Sequence, residues 1–173
     1  GLLRTSMRSK GFTLFLEPKA LYNATEAATV VPDDFEVPFG KARIRRPGED
    51  MSIITYGNTT HLCLNVAERL QKEHDRNVEV IDIRSLIPLD KDTIFESVKK
   101  TSKVLIVHED KVFSGFGAEI ASIIGSELFR YLDAPIQRVG SIFTPVGFHP
   151  VLEKAILPDE EKIYKAAKEL LDY

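Results

Sequence analysis

The chain has 173 residues, 43% of them hydrophobic, which is enough to fill one core with an appendage and too much for a disordered segment. Its 23 basic and 26 acidic residues are interspersed and give a formal net charge of -3, which argues against a strongly basic, nucleic-acid-binding protein. No apolar run approaches the about 18 residues of a membrane span, and Gly1-Leu2-Leu3-Arg4 lacks the layout of a signal peptide.

Half a helix opens the chain. Residues 12–16, with Phe12, Leu14 and Leu16, then read as a strand with no nearby partner, and an isolated strand leaves its backbone groups unpaired. The reading is that the chain begins inside a preceding domain. From Asn23 to Pro38 there is no apolar periodicity; Ala24-Thr25-Glu26-Ala27-Ala28, Pro32, Asp33, Asp34 and Pro38 mark a crossing linker. Lys41, Arg43, Arg45 and Arg46 alternate with Ala42 and Ile44, as on an exposed strand face.

A regular rhythm follows. Strands are predicted over 52–56, 78–82, 104–108 and 136–139, and helices over 59–74, 92–100, 118–131 and 159–171. Leu62, Val66, Ala67 and Leu70 form the apolar stripe of the first of these helices, and Ile163, Ala166, Ala167 and Leu170 that of the last, with Asp159 as its cap. This alternation predicts an α/β fold, a doubly wound, mostly parallel sheet with helices on both faces. Three segments result: the end of a truncated domain (1–22), a linker and lead-in (23–50) and the sheet domain (51–173).

Val104-Leu105-Ile106-Val107 is a run suited to a strand covered on both faces, and it stops on His108, Glu109 and Asp110 at its carboxyl end. That end of an open sheet is where ligands usually gather. His108, Glu109 and Gly117 are therefore candidate site residues, with acid-base work by His108 set against a strand merely reaching water. Gly115-Phe116-Gly117 superficially resembles a dinucleotide loop, but Ile120 stands where the third glycine belongs, and the strand is not the first of its unit. His61, His74, His108 and His149 show no metal-binding spacing, and Ser114 lacks the frame of a nucleophile elbow. Cys63, the single cysteine, lies in a helical pattern and reads as a buried, reduced thiol. Thr144-Pro145-Val146-Gly147-Phe148-His149-Pro150 is a stiff loop suited to positioning side chains or lining an interface.

Several stretches, in order, resemble the β subunit of the E1 component of 2-oxo acid dehydrogenase complexes, in its transketolase-type C-terminal domain. They are Phe15-Leu16-Glu17-Pro18-Lys19-Ala20-Leu21-Tyr22, Gly40-Lys41-Ala42, the run from Glu79 to Asp90, His108-Glu109, Gly117-Ala118-Glu119-Ile120, Leu132-Asp133-Ala134-Pro135 and Thr144-Pro145. The resemblance spans nearly the whole chain. It implies that residues 1–22 end the family's pyrimidine-binding domain, and that the activating glutamate and catalytic histidine lie outside this chain. No catalytic or cofactor-binding residue is therefore expected here. Thiamine diphosphate and magnesium would serve the holoenzyme without binding this fragment, which is expected to be inactive alone.

The complete enzyme, by the same resemblance, decarboxylates a 2-oxo acid and acylates the lipoyl group of E2. Glu17-Pro18-Lys19, Leu21-Tyr22 and His108-Glu109 look more like the branched-chain (2-oxoisovalerate) type than the pyruvate type. Implied partners are an E1 α subunit, a second β subunit and the peripheral subunit-binding domain of E2, whose arginines would meet Asp133 and the terminal carboxylate at Tyr173. Potassium would be held by carbonyls at Ser6, Ser9 and Gly11, where branched-chain members carry Cys, Asp and Asn. The family's Gly-Gly before Phe is Ser114-Gly115 here, which restricts the turn at Ser114. The compartment would be the cytoplasm of a bacterium or the mitochondrial matrix of a eukaryote. Rival readings are the C-terminal domain of a transketolase or deoxyxylulose-phosphate synthase, and a free-standing small-anion-binding module using amides near Gly117.

Overall fold

The computed structural model describes residues 1–25 and 28–173; of the linker stretch, Glu26 and Ala27 lie outside the described residues. A five-stranded sheet carries the fold, with spatial order β1-β3-β2-β4-β5. Its strands are β1 (Arg43–Arg46), β2 (Met51–Thr55), β3 (Val78–Asp82), β4 (Val104–Lys111) and β5 (Gln137–Ser141). β2, β3, β4 and β5 run parallel, and β1 adds antiparallel to β3 at one edge. The mostly parallel, doubly wound expectation holds.

Helices α2 (Thr59–His74), α3 (Lys91–Thr101), α4 (Phe116–Leu128) and α6 (Glu160–Leu171) cover the two faces. Side chains alternate along each strand, so Met51, Ile53, Leu105 and Val107 enter one core with Val66 and Leu70 of α2 and Ile163 and Leu170 of α6. Ile54, Ile81, Val104 and Ile106 enter the other, against Val98 of α3 and Ile120 and Ile124 of α4. Both faces being covered, every residue of β2 is buried. Cys63 is buried in the first core, and burial pushes its thiol up to about 12 despite the Thr55 hydroxyl.

The predicted cap forms, Asp159 Oδ1 accepting the Lys162 amide at 2.8 Å, and Asp90, which sequence reading did not single out, caps α3 by accepting the Thr93 amide at 3.3 Å. Asp90 Oδ2 also accepts the Ala42 amide at 2.8 Å, while Arg84 donates to the Lys41 carbonyl from both Nε and Nη2. These bonds fasten the basic lead-in to the sheet, so residues 43–46 are indeed an exposed strand face.

Three expectations need correction. Residues 12–16 form no strand; Phe12, Leu14 and Leu16 are 95%, 71% and 72% exposed, because the described residues place no strand beside them to take up their backbone groups. The helix predicted over 118–131 starts at Phe116 and ends at Leu128, with Phe129–Tyr131 tightening into a 3-10 turn. The loop at 144–150 leads into an unforeseen helix, α5 (Pro150–Ile156). This helix buries only Ile156, although Val151, Leu152, Ala155 and Ile156 recur at helical spacing; its other sequence signal was Pro150 at the first turn after His149, whose Nδ1 accepts the Val151 amide at 3.2 Å. At the amino terminus, the anticipated half-helix is α1 (Leu2–Arg8), which buries none of its residues.

Candidate functional site

β4 runs on past the predicted stop at His108 as far as Lys111, which pairs with Ser141 of β5. His108 is fully buried on the α4 side of the sheet, with its ring stacked on Tyr56 at a centroid distance of 6.1 Å. Its Nδ1 lies 3.0 Å from the Asp110 carbonyl, which can only accept, so Nδ1 carries the proton and Nε2 is left as a bare lone pair. Among the described residues Nε2 has no hydrogen-bond partner. Gly115, Gly117 and Gly140 close around the ring; a β-carbon at any of them would crowd it. Burial holds the imidazole below its ordinary value, against the Asp110 carbonyl and carboxylate, and Arg138 adds to the lowering.

His108 and Gly117 thus form one packing unit, sealed from solvent, in which His108 is a neutral wedge between strand and helix. Glu109 is exposed, and its carbonyl, not its carboxylate, is engaged, accepting the Ser141 hydroxyl. Ser114 takes a left-handed φ of 59°, the conformation that glycine supplies without strain.

Asp133 and Tyr173, distant in sequence, come together. Both line an open groove of about 730 Å³, with Ala118, Ala121, Ser122 and Gly125 of α4 on one wall and Pro135 and Arg138 nearby. The Asp133 amide donates to the Ser102 carbonyl at 2.9 Å, which fixes the loop, and Lys103 Nζ binds the Leu171 carbonyl at 3.0 Å, which draws the end of α6 to the same place. Both groove residues are exposed. Sequence reasoning missed Arg138, whose Nη1 donates to the Val112 carbonyl at 2.8 Å, and the small-residue wall; the spacing of Ala118, Ala121, Ser122 and Gly125 was the available signal.

Ser6, Ser9 and Gly11 sit at and just beyond the exposed end of α1. The Ser6 carbonyl accepts the Ser9 amide at 3.3 Å, and Ser9 Oγ is shared between Thr13 and the Gly11 amide. Three carbonyls, that of Ser6 keeping one lone pair, supply part of a potassium shell, and the rest would have to come from other oxygens. No group of three or more His, Cys, Asp or Glu side chains suited to a metal occurs among the described residues. Nor is any described helix long and apolar enough to cross a membrane.

A second surface lies beyond the sheet end. The Phe113 and Phe143 rings meet at 4.7 Å, and Ile142, Val146 and Phe148 stand exposed around the stiff loop.

The sequence pattern of the family described as transketolase, C-terminal domain, matches residues 40–163, from the fastened lead-in into α6. The chain belongs to this family. Among solved structures, the split-gene transketolase described as an inactive β4 tetramer superposes with a TM-score of 0.70 over 84% of this chain and 46% of that one. At 24% identity, it shares the fold of the transketolase C-terminal domain. Curated relatives are nearer: a pyruvate dehydrogenase E1 component subunit beta of Rickettsia felis is 42% identical over all of this chain and 52% of its own length. A 2-oxoisovalerate dehydrogenase subunit beta of Bacillus subtilis is 37% identical, again over the whole chain and 53% of its own length. The chain spans about half the length of the curated relatives it matches.

Proposed function

We propose that this transketolase-type domain is the assembly and partner-binding part of an E1 β subunit of a 2-oxo acid dehydrogenase. The observation that carries the reading is the meeting of Asp133 and Tyr173 in one groove beside a wall of small residues. A carboxylate at the groove mouth accepts a guanidinium bidentately, and small side chains let a partner helix approach closely. The occupant under this reading is the peripheral subunit-binding domain of E2, with Asp133 and Tyr173 as its contacts. The exposed Phe113, Phe143 and Phe148 surface would meet the E1 α subunit or a second β subunit.

Thiamine diphosphate and magnesium belong to the holoenzyme under this reading, and a potassium shell at Ser6, Ser9 and Gly11 would need oxygens beyond these three carbonyls. The branched-chain substrate is favoured by Glu17-Pro18-Lys19 and His108-Glu109, whereas the 42% identical relative carries the pyruvate name. Turnover of 2-oxoisovalerate and of pyruvate by the complete enzyme decides between them. The protein would work in the bacterial cytoplasm or the mitochondrial matrix, where eukaryotic relatives are named as mitochondrial.

Calorimetric titration with an E2 subunit-binding domain tests the groove. Binding should be saturable, and Asp133→Ala should weaken it by roughly tenfold or more. Unchanged affinity in that variant would remove Asp133 as the anchor, and absence of any binding would remove the reading.

A further inference from the structure

β1 lies at the opposite edge of the sheet from the groove and pairs only with β3 among the described strands. Arg43 stands opposite Asp82, and the pairing continues so that Lys41 falls near Arg84. One surface of this edge therefore carries Lys41, Arg43, Arg45 and Arg84 with two carboxylates among them: Asp82, which reaches Arg45 at 3.8 Å and attracts Arg84, and Asp90, which attracts Lys41 and Arg84. Asp90 also accepts three hydrogen bonds from neutral donors, Ala42 and the amide and hydroxyl of Thr93, which fix its place but leave its charge, so four cations face two carboxylates. The side chains of Lys41 and Arg43 have no hydrogen bond or ion pair among the described residues. Arg84 is lowered from its ordinary value, first by burial and further, against Asp82, by Arg43. The stripe is under-neutralised.

We propose that the free edge of β1 is a docking strand for an acidic, extended segment of a partner protein, one with carboxylates at alternate residues. An edge strand offers unpaired backbone groups, and an added strand would take them up as the next member of the sheet. Alternation then sets every second side chain of the guest against Lys41 and Arg43, with Arg45, on a bulge in β1, reaching Asp82 beside them, while exposed Ile44, opposite Ile81, offers an apolar contact on the other face. Charge also selects against the commonest wrong partner, because pairing two copies through β1 would set arginine beside arginine. The bulge, between Ile44 and Arg46, interrupts the pairing of β1 with β3, so an added strand would pair on the Arg43 side of it. This site is independent of the groove at Asp133, so the two stand or fall separately.

The test uses the whole chain and a fluorescent peptide of alternating Glu and Val, with a Lys and Val peptide as its counterpart. Anisotropy should show the acidic peptide binding and the basic one not, with affinity falling steeply as salt is raised from about 0.05 to 0.5 M. Lys41→Ser with Arg43→Ser, which leaves the Arg45 pair to Asp82 intact, should weaken binding by roughly tenfold without changing the thermal midpoint. Lys41→Glu with Arg43→Glu should reverse the preference towards the basic peptide. A backbone N-methylated acidic peptide should not bind, since it cannot donate to a neighbouring strand. Equal binding of both peptides, binding insensitive to Lys41 and Arg43, retention by the N-methylated peptide, or capture of an oligonucleotide in place of the acidic peptide would each overturn the proposal.

Discussion

His108 Nε2 lies so close to the Gly117 α-carbon that a β-carbon there would overlap the imidazole. Gly117 has no left-handed φ to justify it, so close packing, first against His108 and then against Ile106, is the reason for the glycine. Gly117→Ala should destabilise the protein by about 1–3 kcal/mol, the usual cost of overpacking a filled site. His108→Ala in the same chain should recover part of that loss. Urea midpoints of the single and double variants check both; additive losses would mean that the two positions do not compete for space.

Protonation of His108 should couple stability to pH. Burial lowers the folded-state value below the ordinary 6.5, so between the two values the unfolded chain binds more protons than the folded one. Stability is therefore full above about pH 6.5, declines as pH falls through that value, and levels off once the folded form also takes up its proton. The counter-charges in the site are Asp110 and Arg138, which oppose and support the lowering respectively. Urea denaturation at a series of pH values should show this slope in the parent chain and a shallower one in His108→Gln.

Glu79 is buried to 1% exposure, with Lys100 Nζ on its Oε2 at 2.5 Å and the Gly48 amide at 3.3 Å, while Oε1 has no partner among the described residues. Removing one member strands the other's charge. Lys100→Met should cost about 3 kcal/mol, the low end of the range because the lysine is partly solvated. Glu79→Gln should cost less, since a neutral amide oxygen still accepts from Gly48 and Lys100. Replacing both, with Glu79→Leu and Lys100→Met, should recover most of the loss. Chemical denaturation of the three variants is the check, and a double variant no better than Lys100→Met would contradict it.

Periodicity made most of the scaffold legible. Runs such as Ile53-Ile54 and Val104 to Val107 are apolar on successive residues because helices cover both faces, and the spacing of Val66, Ala67 and Leu70 could serve only a helix packed on a sheet. The cap at Asp159 is local, so it too was readable, and the equally local cap at Asp90 went unread. α5 was not, because its seven residues hold a single repeat of the helical spacing, Val151 and Leu152 with Ala155 and Ile156. The Glu79 and Lys100 pair showed only as a charge within an otherwise apolar strand, with nothing to name its partner.

By itself the sequence determined the family, the alternation of strands and helices and which face of each is buried, since these follow from side-chain period and local hydrogen bonding. Only the tertiary structure decided what His108 does, because its role depends on three glycines brought around it from α4 and β5. Only the tertiary structure shows Asp133 and Tyr173 lining one groove and leaves residues 12–16 without a strand. Both outcomes depend on which backbone groups find partners across long sequence separations, and that is settled when the sheet assembles.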